Sequence, residues 1–534
     1  MRGKAECHDD KPQSPYAPAN VRGVLAYYVF SRILSGISGV LFVILLVRHM
    51  AVIDYSNFAT TFGAAGIIGI LSSLGTEKAV TRFVPEGRIQ QRGKALSRLI
   101  WRLLGLRTII LLVMTVVAVG CWTYYSFDRT YSSEISSAIA LVIIGTNFFQ
   151  FLALIFQSLV QQKVLARIMV IQWAGRLALL LLMLSMSSSV GLEIALYIIA
   201  IPDVIGCILL FISLQQYLNN LCATCPEDVG DNETWPIWKD VGEIIRHNYG
   251  YSWLIAPPQG NSMIVITSTF LTSLQIAAYG FFVNLIERIR AYLPLNFMLN
   301  LAEPILVAGY VVNRDFQDLC RRTNILYTLN FAFLMLLLAW TCAASQPLTN
   351  LLTGGKYTEY FFLLPLVIAQ VTLGSHNTIL QVIVNTVGQS DILTKSGATA
   401  LAFMTTFAVT FLWLGPMKLI TLATPLIFEI GNIVVTIFLL RRAGYMYQWR
   451  GIFHFKAVLA ATIAFAIAYD VQDHIEGDLY RVLTAGVIST LAFTASCKLL
   501  RIISGDDIMS VTRSLRGPAP VQKERMRGPG SHAH

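Results

Sequence analysis

Charged residues are what this sequence has least of: Asp, Glu, Lys and Arg make up 13% of its 534 residues. A soluble domain carries about 25%, so an ordinary solvated surface is excluded. The eight cysteines stand apart, at positions 7, 121, 207, 222, 225, 320, 342 and 497, with no spacing that reads as a disulfide framework. The one close pair, Cys222-Ala-Thr-Cys225, offers two ligands where tetrahedral zinc takes four, so it is read as two reduced thiols. No metal or cofactor is expected. The chain also lacks a P-loop, an HExxH pair and a nucleophile elbow. Those absences argue against an ATP-driven pump and against an enzyme built on such motifs. The first 20 residues are polar and show no signal-peptide pattern, so the first apolar run is expected to stay as an anchor.

What is there is hydrophobic: 55% of the residues, with a mean hydropathy of +0.61. Apolar runs recur from Val21 to Ile503, each able to supply the roughly 20 helical residues that cross a bilayer. Fourteen are read, centred near Ser38, Ile67, Val113, Gln150, Leu179, Gly206, Ile264, Val283, Leu336, Val371, Phe403, Val434, Ala464 and Ser489. The expected fold is an all-α polytopic membrane protein. The connections alternate in charge. Segments after even-numbered helices, with both tails, hold 32 of the 40 Lys and Arg residues. The other side holds five (Arg48, Arg129, Lys356, Lys418 and Arg481), and Arg32, Arg107 and Arg176 lie inside helices. Basic loops stay cytoplasmic, so both termini are placed inside. The net charge of +10 reflects this bias, and no nucleic-acid partner is inferred from it.

Helices 1–6 and 7–12 read as two copies of one unit. An even helix number per copy makes the copies parallel, related by an axis along the membrane normal. Tyr55-Ser-Asn-Phe58 and Tyr279-Gly-Phe-Phe282 occupy matching places in the two second helices. The expected organisation is a cytoplasmic tail (1–20), an N-terminal six-helix bundle (21–217), a linker with an interfacial helix (218–248), a C-terminal six-helix bundle (249–441), two further helices (442–503) and a basic cytoplasmic tail (504–534). The linker opens with the acidic stretch from Cys225 to Glu233. Apolar residues at Trp235, Trp238, Val241, Ile244 and Ile245 then suit either a helix lying in the interface or an anchored loop.

Several motifs carry a resemblance. Leu34-Ser35-Gly-Ile-Ser-Gly39 precedes Asp54-Tyr55-Ser56-Asn-Phe58, and Leu74-Gly75-Thr-Glu77-Lys-Ala-Val-Thr81-Arg82-Phe83-Val-Pro85-Glu86 closes helix 2. Ala278-Tyr279-Gly280 and Leu351-Leu352-Thr-Gly354-Gly-Lys-Tyr357 follow. In this order they resemble the polysaccharide-transport branch of the multidrug/oligosaccharidyl-lipid/polysaccharide exporter superfamily, which includes Wzx-type oligosaccharide flippases. The resemblance covers residues 21–440. It implies a non-enzymatic flippase in the bacterial inner membrane that moves an undecaprenyl-pyrophosphate-linked oligosaccharide for exopolysaccharide, capsule or O-antigen synthesis. Implied partners are that lipid, the surrounding membrane lipids, a polysaccharide polymerase and a chain-length regulator.

That task needs a hydrated cavity with cations for phosphate and polar groups for sugar, because buried unpaired charge is strongly disfavoured. Arg32, Arg176 and Arg107 are the candidate phosphate ligands, with snorkelling to the interface as the competing reading for Arg107. Asn147, Gln150 and Gln157 on helix 4 and Asn377, Gln381 and Asn385 on helix 10 form polar stripes. These stripes either line a sugar path or bond between helices. Asp203, Glu287 and Glu429 can couple transport to an ion or neutralise an arginine, and Glu287 has Arg290 beside it for a structural pair. Two other functions compete: an ion-coupled multidrug exporter of the same fold, and a polytopic polysaccharide polymerase or ligase. The short outer connections argue against the enzymes, which would carry catalytic groups on a large outer loop.

Overall fold

The computed structural model describes residues 18–89, 92–125, 133–224, 238–290, 292–295, 314–413 and 418–501, with the single positions 299, 303, 306 and 310. Among the described residues every regular element is a helix, with no strand. In chain order the helices are α1 (Pro18–His49), α2 (Val52–Ser73), α3 (Thr76–Ile89), α4 (Gly93–Tyr125), α5 (Ser133–Ser158) and α6 (Gln162–Met186). Next come α7 (Leu192–Thr224), α8 (Trp238–Ile255), α9 (Gly260–Thr267), α10 (Ser273–Arg290), α11 (Phe316–Ala343) and α12 (Ser345–Thr353). The last are α13 (Leu363–Thr386), α14 (Ser390–Trp413), α15 (Thr424–Arg442), α16 (Gly451–Asp473) and α17 (Asp478–Leu499).

Each of the fourteen expected centres falls inside a helix, yet the described helices do not give fourteen plain spans. Eleven are long and apolar enough to cross a membrane, and the bent pair α2 and α3 brings the number to twelve if it is counted as one span. The other two centres show why the count differs. Pro257 and Pro258 cannot continue a helix, since each lacks an N–H and crowds the preceding turn. Helix 7 is therefore broken into α8 and the short α9. The freed Pro258 carbonyl accepts a hydrogen bond from Gln370 Nε2 at 2.8 Å, as buried backbone in hydrocarbon requires. Helix 8 is α10, whose last turn carries Glu287, Arg288 and Arg290. It is buried on every side from Ile276 to Ile286, the pattern of a helix at the centre of a bundle.

Boundaries also move. α7 runs past 217 to Thr224, and α8 starts at Trp238, so the expected interfacial segment is the first part of a longer helix. Trp238 is partly exposed, and the Arg102 guanidinium lies 5.0 Å from its ring centroid. The expected tails and the acidic part of the linker lie outside the described residues. The α2–α3 bend is 56°, at Leu74 and Gly75, both left-handed (φ 44° and 74°). The family-like motif at Leu74–Glu86 thus builds a corner rather than only ending a helix.

Among α1–α7, the main packing pairs are α1 with α6, α5 with α7, and α6 with α7. Among α8–α15 they are α11 with α13, and α14 with α15. The two groups meet through α2 against α9 and α10, and through α1 against α10. The matching Tyr55–Phe58 and Tyr279–Phe282 segments lie in this contact, with Tyr55, Tyr279, Phe281 and Phe282 fully buried. Gly280 makes the approach possible, since a Cβ there would stand 2.5 Å from that of Ala59. Close small-residue contacts of this kind drive helix association where burying apolar surface gains little. α16 and α17 pack on each other and on α11, outside this contact.

Candidate functional site

The site begins with one turn of α6. Gln172, Trp173 and Arg176 share a face, by their three- and four-residue spacing, and all three are buried. On α7, Asp203 follows Pro202 and is wholly buried. Gln172 Nε2 donates to Asp203 Oδ1 at 2.5 Å, and an Arg176 guanidinium nitrogen donates to the same oxygen as a close ion pair. Asp203 Oδ2 and Arg176 Nε keep no hydrogen-bond partner in the structure. The Arg176 guanidinium also lies over the Trp173 ring, 4.2 Å from its centroid.

A second cation arrives from the other helix group. Arg288, at the end of α10, places its guanidinium carbon 4.3 Å from the Trp173 centroid. Its Nε is buried with no hydrogen-bond partner. Arg176 and Arg288 line one small cavity with Asn284 of α10, Ile199 of α7 and the aromatic rings of Phe42, Tyr55, Phe58 and Phe62. Glu287, next to Arg288, forms an ion pair with Arg290 at 3.1 Å instead. Two guanidiniums and one carboxylate therefore meet at this point, and the local charge is positive. Guanidiniums over an indole face gain cation–π attraction, which partly compensates their desolvation.

The remaining candidates are distributed around this centre. Arg32 is half-buried on α1, seven residues toward the basic end from Gly39, whose backbone packs on Trp173. Arg107 is buried under the α2–α3 corner, donating to the Gly69 carbonyl at 2.9 Å, with Glu77 at 3.8 Å. Asn147 bonds to the Ala65 carbonyl at 3.1 Å and ties α5 to α2. Gln150 is exposed, while Gln157 and Gln381 are half-buried. Asn385 accepts from Ser390 at 3.1 Å near the basic end of α13. Asn377 donates to the Glu429 carboxylate, and also to the Glu429 carbonyl at 3.1 Å. The structure thus joins Arg176 to Asp203, Asn377 to Glu429, and Glu287 to Arg290. By sequence Arg288 is one of the 32 cations on the basic side. Its four-residue spacing from Asn284, on the apolar α10, is the signal that could have found it. Among the described residues no His, Cys, Asp and Glu cluster could hold a metal, and Cys222 bonds to the Gly93 carbonyl at 3.7 Å.

Residues 21–230, α1 to α7, match the family model of polysaccharide biosynthesis proteins. No curated protein matches the chain. Among solved structures, the lipid II flippase MurJ in an inward closed conformation is similar with a TM-score of 0.59 and 12% identity, over 90% of this chain and 99% of that one. The MATE multidrug transporter DinF-BH, solved as a complex, gives 0.58 and 12%, over 84% and 99%. An inward-facing multidrug resistance MATE transporter of the MOP superfamily gives 0.50 and 13%, over 78% and 98%. At such identities these structures establish the fold. The chain is a multi-span membrane protein with the MurJ and MATE transporter fold, and its first seven helices match the polysaccharide biosynthesis family that its motifs resemble.

Proposed function

We propose that this chain is a flippase for an undecaprenyl-pyrophosphate-linked oligosaccharide, acting in the bacterial inner membrane for exopolysaccharide, capsule or O-antigen synthesis. The observation that carries the reading is the positive site at the meeting of the two helix groups. Arg176 comes from one group and Arg288 from the other, and one carboxylate stands beside them. A pyrophosphate supplies the missing negative charge and accepts two-pronged, charge-assisted hydrogen bonds from guanidinium forks. The cavity is too small for a sugar chain in this conformation, so the groups must part for cargo to enter. On this reading the groups are parallel bundles that rock about the α2, α9 and α10 contact, with the basic end and both termini in the cytoplasm.

Arg32 then serves as a cation nearer the cytoplasmic entrance. Asn377, Gln381 and Asn385 serve as sugar contacts from α13, with Gln150 and Gln157 from α5. Asp203 and Glu429 are the carboxylates suited to ion coupling, because each is held by partners inside the protein. Arg107 and Asn147 brace α2. A multidrug exporter is the second reading, favoured by the aromatic lining at Phe42, Phe58 and Phe62. The positive charge works against cationic cargo there.

The test is made in cells that produce the polysaccharide. Arg32→Lys keeps charge and loses the fork, and should retain part of the output. Arg288→Ala, and the Arg32→Ala, Arg176→Ala double variant, should insert normally, trap lipid-linked oligosaccharide on the cytoplasmic face and lose most polysaccharide. Full output from both Ala variants would remove the cationic-site mechanism. Unchanged polysaccharide after deletion of the gene, with altered drug resistance, would favour export.

A further inference from the structure

At the end away from the basic loops, the two helix groups hold each other by their helix ends. The carboxyl end of a helix leaves carbonyls without intrahelical partners and carries partial negative charge. Lys356, in the turn after α12, donates from Nζ to three carbonyls at the end of α1: Val47 at 3.0 Å, Arg48 at 2.8 Å and Met50 at 2.8 Å. Arg48, at the end of α1, donates in return to the carbonyls of Leu351, as a close contact, and Leu352, at 3.3 Å, at the end of α12. Each group thus caps the other's helix. These are two of the five cations that the sequence leaves on the sparsely basic side.

The turn between them is built for this. Gly354 and Gly355 both take left-handed φ, 65° and 85°, which reverses the chain and directs Lys356 back at α1. Asn350 fixes the turn. Its carbonyl accepts from Gly354 and Gly355, its side-chain oxygen accepts from Thr358, and its amide donates to Asp478 of α17 at 3.3 Å. The next residue, Tyr357, is 1% exposed, and its ring centroid lies 6.3 Å from that of Phe281, in the buried aromatic contact where the two groups meet. The family-like Leu351–Tyr357 motif therefore has a mechanical place.

We propose that Arg48 and Lys356 form a reciprocal latch that keeps the outer side of the transporter shut, with Tyr357 as its plug. The latch must release as one unit before cargo leaves outward. This rests on the orientation and alternating access of the proposed function. Asn350 and Asp478 are positioning residues, so the C-terminal hairpin α16–α17 buttresses the gate through them.

The test needs no cargo, so its failure is distinguishable from failure of the flippase reading. Spin labels are placed on Ser187→Cys, in the turn after α6, and Asp473→Cys, at the end of α16, in full-length protein with its native cysteines replaced. Their separation is measured by double electron–electron resonance in lipid nanodiscs. Lys356→Met and Arg48→Met should each raise the long-distance population by roughly three- to tenfold, the range for one or two helix-end charge interactions. The double variant should add little beyond either single change, because breaking one side frees both. Lys356→Arg should stay near the parent. Asn350→Ala, which leaves both cations in place, should shift the population the same way by a smaller factor. Unchanged distances in folded Lys356→Met and Arg48→Met would overturn the latch. So would fully multiplicative effects in the double variant, which would mean two independent caps.

Discussion

Replacing Asp203 by Leu probes the centre of the site directly. Its side chain is 0% exposed and that of Arg176 is 4% exposed, so solvent screens neither charge. Removing the carboxylate leaves Arg176 and Arg288 over Trp173 with no negative neighbour on α7, and Gln172 loses its acceptor. Breaking one side of a buried pair costs about 3–5 kcal/mol. For a chain of this length, the unfolding entropy per residue of globular proteins converts that into a loss of roughly 3–5 °C in midpoint. The Arg176→Met, Asp203→Leu double variant removes both charges and keeps similar volumes. It should recover most of the loss but not all, because Arg288 remains. The measurement is a thermal unfolding series of parent, both singles and the double in one detergent. The coupling energy follows from the cycle. A loss under about 1 kcal/mol for Asp203→Leu, or a double no better than the worse single, would refute a desolvated pair.

Other perturbations test the packing and the orientation. Gly280→Ala should destabilise by about 1–3 kcal/mol, and Ala59→Gly in the same chain should restore much of it, read by the same unfolding assay; no rescue would contradict the close α2–α10 approach. Gln370→Leu strands the Pro258 carbonyl and should cost about 1–3 kcal/mol, whereas a change below about 0.5 would mean that this carbonyl finds another partner. Reporter fusions active only outside the membrane should light up at Asp128 and Asp473 and stay dark at Arg92, Arg321 and the C-terminus; an external C-terminus would invert the scheme.

Hydropathy alone located a helix at every expected centre, because a span of about 20 apolar residues is a strong local signal. Interruptions inside spans were harder to read. Pro257-Pro258 is visible in the sequence and does break helix 7, but the apolar residues around it hide the break in a window average. The α2–α3 corner is invisible to hydropathy, since the left-handed Leu74 carries no signature beyond the Gly that follows. At the site, Arg176 and Asp203 were legible as ionisable groups inside apolar runs. That they pair, and that Arg288 joins them from 112 positions away in the chain, depends on how α6, α7 and α10 pack. Arg48 and Lys356 looked like stray exceptions to the charge bias until the fold brought both helix ends together.

The most direct measurement is transport by the purified protein in sealed vesicles. An undecaprenyl-pyrophosphate-linked oligosaccharide is incorporated, and its appearance in the opposite leaflet is followed with a membrane-impermeant glycosidase. The parent should expose the oligosaccharide faster than empty vesicles, and the Arg176→Ala, Arg288→Ala variant should fall toward the empty-vesicle rate. The same oligosaccharide on an uncharged lipid carrier should move poorly. Equal transport of charged and uncharged carriers, unaffected by loss of both arginines, would contradict an anion-reading flippase.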